Sequence, residues 1–131
     1  MNVPKWISPL FVFASLYDGV LGILFLAVPA WVFATLNVAP PNHVAYVQFP
    51  AALLIIFAII FMRIAINPVA HRGQIIYGIL LKTAYCGLAF YYWATIGIPW
   101  IWKPFAITDL VMGVLFVIAH YSLSTLPSAA R

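Results

Sequence analysis

Acidic side chains are almost missing from this chain: Asp18 and Asp109 are the only two among 131 residues, and charged residues of both signs make up just 6%. A soluble globular domain carries several times that charge on its surface, so the profile excludes one. Cysteine is reduced to Cys86, which rules out an intramolecular disulfide and any metal site built on a cysteine pair. The histidines are scattered. His43 and His71 fall in opposite connections between apolar runs, and His120 has no second ligand close by on its own run. Neither a metal nor a haem held by two histidines has its ligands here. No Ser-His-acid set, glycine-rich phosphate loop or zinc spacing occurs either, so no cofactor is expected. The net charge of +4 has no soluble fold around it to form a basic patch, which excludes nucleic acid as a partner.

What fills the chain instead is apolar. Hydrophobic residues account for 66% of it and the mean hydropathy is +1.11. A helix needs about 20 mostly apolar residues to cross a bilayer core, and such runs stand at about residues 7–28, 45–66, 74–96 and 101–123. The expected fold is therefore all-α, one membrane domain over residues 1–131 built as a bundle of four transmembrane helices. Lys5 ahead of the first run resembles a signal peptide. However, Asp18 interrupts that run and Ala27-Val28-Pro29-Ala30 matches a cleavage site only loosely, so the run is expected to stay as a span. So short a chain buries little against itself. The outside of each helix needs the lipid bilayer, sister copies in a homo-oligomer, or the other chains of a larger membrane complex.

The bases set an expected topology. With four spans, Lys5, Arg63, Arg72 and Arg131 collect on one side and Lys103 stands alone on the other, which places both termini in the cytoplasm and the protein in the inner membrane. Pro29 and Pro40-Pro41-Asn42-His43 bracket the first connection, and the apolar Ala30-Trp31-Val32-Phe33-Ala34 between them suits the interface. The second connection, Asn67-Pro68-Val69-Ala70-His71-Arg72-Gly73, reads as short and polar. The third, Gly97-Ile98-Pro99-Trp100, is a tight turn, and Trp93, Trp100 and Trp102 around it form an aromatic belt.

Against this background three ionisable residues are out of place. Asp18, Lys82 and Asp109 lie inside apolar runs, where such groups are paired, neutralised or used. They stand about eleven, eight and eight residues from the starts of their helices, which at about 1.5 Å per residue puts all three near mid-membrane. Each shares a helix face with small residues: Ala14, Asp18 and Gly22; Gly78, Lys82, Tyr85 or Cys86, and Ala89; Ala106, Asp109, Gly113 and His120. Small residues let helices approach closely in lipid, so these are expected to be the packed faces. The long stem of Lys82 can reach either carboxylate. The resulting cluster carries a formal charge of −1, and its surplus acid needs a proton, a ligand or another partner. Asp18-Gly-Val-Leu-Gly22-Ile-Leu-Phe25 also parallels Asp109-Leu-Val-Met-Gly113-Val-Leu-Phe116, a hint of an inverted repeat.

Leu16-Tyr17-Asp18 followed by Gly22 and Phe25, Pro29 closing the first helix, Gln48 opening the second, the spacing of Gly78 and Lys82, and Asp109 in the fourth resemble the small bacterial four-helix membrane proteins of the broad DoxX-like kind. That resemblance implies a four-helix fold and a group that includes accessory subunits of quinone-linked oxidoreductases. Two classes of function stay open. In one, the chain is a non-catalytic accessory or oligomeric component, with Lys82 paired to Asp109, Asp18 bonded to the Ser15 carbonyl or Tyr85, and the cluster acting as glue. In the other, Asp18, Lys82, Asp109, Tyr17, Tyr85 and Gln48 face a lipid-like or amphipathic small molecule. The paired acids then work in the manner of sterol isomerases, hold a cationic ligand between aromatic walls that include Tyr91, Tyr92 and Trp93, or conduct a proton. Whether the protein is an enzyme is left undecided by these residues.

Overall fold

The computed structural model describes residues 2–127; Arg131, counted above among the bases that set topology, lies outside them. Four helices are long and apolar enough to cross a membrane: α1 (Ile7–Ala27), α3 (Ala45–Ile66), α5 (Ile75–Ala94, which continues the preceding turn from Pro68) and α6 (Trp102–Ser124). Two short helices join them, α2 (Pro29–Leu36) and α4 (Pro68–His71), the latter running through a 3-10 turn at Arg72–Gln74 into α5. The result is an all-α four-helix bundle, with no strand among the described residues.

Prolines place the breaks. Val28 and Asn67 each precede a proline, and both leave the helical region, at φ −135°, ψ 51° and φ −145°, ψ 86°. The proline ring disfavours α geometry in the residue before it, yet suits the first position of a new helix. Each connection therefore restarts as helix at once. The aromatic segment after Pro29 is a helix of eight residues. The second connection is helical as well, begun by the Asn67 side chain, which accepts from the Ala70 N–H at 3.1 Å. Asn37 ends α2 in the left-handed region at φ 56°, a cap that asparagine tolerates.

The long helices alternate in direction and form two hairpins, α1 with α3 and α5 with α6, whose backbones approach closely; between hairpins the helices stand further apart. Within the first hairpin, Ser15 Oγ donates to the Ala58 carbonyl at 2.7 Å. A Cβ on Gly22 would lie 2.7 Å from the Ala51 carbonyl oxygen, so only glycine permits that approach. Within the second hairpin, a Cβ on Gly113 would meet the Lys82 Cβ at 3.3 Å.

The hairpins join through a core at one end only. We call this the near end, where α1 begins and α6 finishes. Phe11 stacks on Phe116 at 4.6 Å between ring centroids, and Phe61 lies 5.2 Å from Phe116 and 6.0 Å from Phe11. Ile7, Ile64, Ile75, Met112 and Leu123 complete this fully buried body. Gly78 leaves room for it, since a Cβ there would sit 2.7 Å from the Phe61 ring. Toward the far end the buried residues of the long helices are small: Gly22, Ala51, Cys86, Ala89 and Ala106. At the near end Arg72 sends Nη1 to the carbonyls of Leu123 and Leu126, each at 2.7 Å, so its guanidinium caps the end of α6 and satisfies acceptors that a helix terminus leaves open.

Candidate functional site

Asp18, Lys82 and Asp109 meet where the phenylalanine core ends. Ala14, Asp18 and Gly22 form the buried face of α1; Gly78, Lys82, Cys86 and Ala89 that of α5; Ala106 and Asp109 the corresponding part of α6. The antiparallel run of the helices brings the three charged positions to one level. Gly113, one turn from Asp109, makes room for the lysine stem at its root.

Lys82 Nζ donates to both carboxylate oxygens of Asp18 and to Oδ1 of Asp109, all three at 3.1 Å. An ammonium has three protons and here each has an acceptor. The bonds to Asp18 cross from one hairpin to the other, while the bond to Asp109 stays within the second. Rings flank the same nitrogen, with the Tyr17 centroid at 5.5 Å and that of Phe61 at 5.8 Å, distances at which an aromatic face attracts a cation. The side chains of Asp18 and Lys82 are each 2% exposed and that of Asp109 is 10% exposed. Burial of this kind survives only where charges are paired and their remaining donors and acceptors are met.

One oxygen is left over. Asp109 Oδ2 has no hydrogen-bond partner among the described residues, and it is not sealed from its surroundings as a fully buried atom would be. The Tyr17 hydroxyl is buried and has the Thr108 side chain of α6 as its polar neighbour. Thr108 itself donates back to the Pro104 carbonyl at 2.9 Å. The Tyr17 ring meets Phe105 edge-on at 5.9 Å across the contact between α1 and α6.

The other expected partners lie elsewhere. Both oxygens of Asp18 accept from Lys82, and the Ser15 hydroxyl goes to the Ala58 carbonyl. Tyr85 donates to the Trp102 carbonyl at 3.3 Å and packs on the Trp102 ring, so its hydroxyl serves the second hairpin rather than Asp18. Gln48 is not in the cluster. It donates to the Leu26 carbonyl at 3.2 Å, about 12 Å along α1 from Asp18 at 1.5 Å per residue, because α3 runs antiparallel and its first turns face the end of α1. Tyr91, Tyr92 and Trp93 are exposed at the far end and wall nothing near the charges. Trp93 there lies under Lys103 Nζ at 5.2 Å, and Trp100 Nε1 donates to the Leu36 carbonyl at 3.1 Å, tying the third connection to α2.

A pocket of about 700 Å³ opens at the far end between α2 and the chain that follows it, bordered by Pro29, Phe33, Asn37, Pro40 and Val44. It has no titratable lining and no contact with the charged residues. No group of three metal-ligating side chains comes together among the described residues.

The sequence pattern held a further sign of the core beneath the triad. Phe11 precedes Asp18 by seven residues and Phe116 follows Asp109 by seven, about two helical turns in each case. Since α1 and α6 run oppositely, both rings lie on the near side of the charges. The parallel drawn between Phe25 and Phe116 does not carry over to their surroundings: Phe116 is in the core, whereas Phe25 is half-buried against Phe33 of α2 at 5.7 Å. Arg72 had no local signal, because its acceptors lie more than fifty residues away in the chain. No family model, curated protein or solved structure matches this chain.

Proposed function

We propose that this protein is a non-catalytic component of the inner membrane, a two-hairpin body that works within an oligomer or a larger membrane assembly. The observation that carries the reading is the saturation of Lys82: all three ammonium protons are taken by the two aspartates, and two of the bonds cross between the hairpins. A general acid or base is left free to exchange its proton with substrate. This lysine is instead fully engaged in docking, as polar groups that lock helices together in lipid are.

The outer surface supports the rest of the reading. Between 28% and 33% of the apolar stretch of each long helix is buried inside the bundle. The remainder must be covered by lipid or by other chains. Lys5 and Arg63 at the near end, against Lys103 at the far end, favour cytoplasmic termini. The resemblance to DoxX-like proteins points to the same class, a fold shared by accessory subunits, and carries no activity by itself.

Native mass spectrometry of the protein extracted in mild detergent from its own membranes tests this. The expected species is a complex of fixed stoichiometry heavier than the 14.6 kDa chain. A monomer with lipid alone would refute the assembly role.

A further inference from the structure

We propose that Asp109 is a proton-binding site inside the bundle: at neutral pH its Oδ2 carries a proton taken up from the aqueous phase, and that proton brings the triad to zero charge. The site does not depend on the assembly role, since only the three side chains and one proton take part in it.

Charge decides that a proton is needed. Two carboxylates and one ammonium leave a surplus of one negative charge, on side chains that are 2%, 2% and 10% exposed. No second cation is at hand to balance it. Lys103, about 9 Å back along α6 at 1.5 Å per residue, lies over the Trp93 ring, and Arg72 is spent on the end of α6. From α1 the triad meets Tyr17, whose ring flanks Lys82. From α5 it meets Tyr85, bonded to the Trp102 carbonyl, and Cys86, whose thiol donates to the Ala106 carbonyl at 3.5 Å, one turn from Asp109. Two phenols and a thiol bring no positive charge. α3 presents the Phe61 ring, while its own titratable residues, Tyr46 and Arg63, are exposed near its two ends. An uncompensated carboxylate at this depth costs more than a neutral hydroxyl that lacks an acceptor, so the acid is neutralised. A proton also needs no pocket to receive it.

Geometry decides which acid takes it. Lys82 Nζ gives two bonds to Asp18 and one to Asp109, and hydrogen bonds to the ionised form hold a carboxylate in that form. Asp18 therefore keeps the charge. Neither of its oxygens is free for a proton, and placing one there would give up a bond that ties the hairpins together. Asp109 gives up nothing, because Oδ1 goes on accepting from Lys82 while Oδ2 has no donor aimed at it. It is also the most exposed of the three side chains, which lets its proton come and go. Once the proton has left, Asp109 at full charge competes with Asp18 for the one ammonium. Docking of the hairpins is thus coupled to proton occupancy.

Infrared difference spectroscopy of the whole protein in dodecyl maltoside, which has no ester carbonyl, tests this between neutral and alkaline pH. Asp18 and Asp109 are the only acidic side chains in the chain, so the band of a protonated side-chain carboxyl has no other source. The wild type should show that band at neutral pH, shifted in deuterium oxide and lost as the pH rises. Asp109→Glu should move it and Asp18→Glu should leave it in place. The wild-type unfolding midpoint should fall as the pH rises, because the folded protein holds a proton that the unfolded chain releases; Asp109→Asn should lack both the band and that part of the fall. No band in the wild type at neutral pH, a band that moves in Asp18→Glu, or the full wild-type pH dependence in Asp109→Asn overturns the site. Should Asp109→Glu fail to fold, an unmoved band in Asp18→Glu carries the assignment. A complex intact in native mass spectrometry but without the band overturns the proton site and leaves the assembly role standing.

Discussion

Replacing Lys82 by Met keeps an unbranched stem one atom shorter and removes the charge and its donors. The triad then passes from a formal −1 to −2, with two buried carboxylates facing each other and three N–H···O contacts gone. Removing one partner of a buried ion pair costs about 3–5 kcal/mol, because the other is left uncompensated. The aspartate variants should be much milder. Asp18→Asn brings the sum to zero and its amide oxygen still accepts from Lys82, so the loss is about one charge-assisted bond, roughly 1.5–3 kcal/mol. Asp109→Asn gives up a single contact and keeps the bond between hairpins, so it should be the mildest. The triple variant Asp18→Asn, Lys82→Met, Asp109→Asn has no charge left to desolvate and should recover to within about 2 kcal/mol of wild type. Thermal unfolding of all four proteins in one detergent measures the order. If Lys82→Met unfolds no earlier than Asp109→Asn, or the triple variant is less stable than Lys82→Met, the ammonium does not dock the hairpins and the reasoning fails.

Close packing of the first hairpin makes a second prediction: Gly22→Ala, whose methyl would meet the Ala51 carbonyl at 2.7 Å, should cost about 1–3 kcal/mol by overpacking. Gly87→Ala, with nothing within 4 Å, should be neutral or stabilising by up to about 1 kcal/mol through helix propensity; equal effects at the two sites in the same unfolding assay would contradict the hairpin geometry. Gly78→Ala should open the near-end core, because its methyl displaces the Phe61 ring, and the change should show as altered aromatic near-ultraviolet dichroism. Arg72→Met should speed amide exchange in the last turn of α6 and just beyond it, where the carbonyls of Leu123 and Leu126 lose their donor; exchange that stays at the wild-type rate there would remove the cap from the account.

Hydropathy and length alone determined the membrane class, the four long helices and, through the prolines at Pro29 and Pro68, where they break. These are local properties, since a bilayer reads each span separately. The faces of the helices were legible for the same reason: the spacing of small residues around Asp18, Lys82 and Asp109 marks which side is packed. The grouping of helices was not legible. That α1 pairs with α3 and α5 with α6 depends on the fit of Gly22 to the Ala51 backbone and of Gly113 to the Lys82 stem, and fit between distant segments leaves no periodic trace in the chain. Gln48 shows the limit well, since its residue type suggested the cluster while the antiparallel register of α3 put it against Leu26. The surplus negative charge of the triad could be counted from composition. Which oxygen is left without a lysine proton, Asp109 Oδ2 rather than either oxygen of Asp18, was decided by tertiary structure, because a lysine with three protons can satisfy three of four acceptors and only its position selects them.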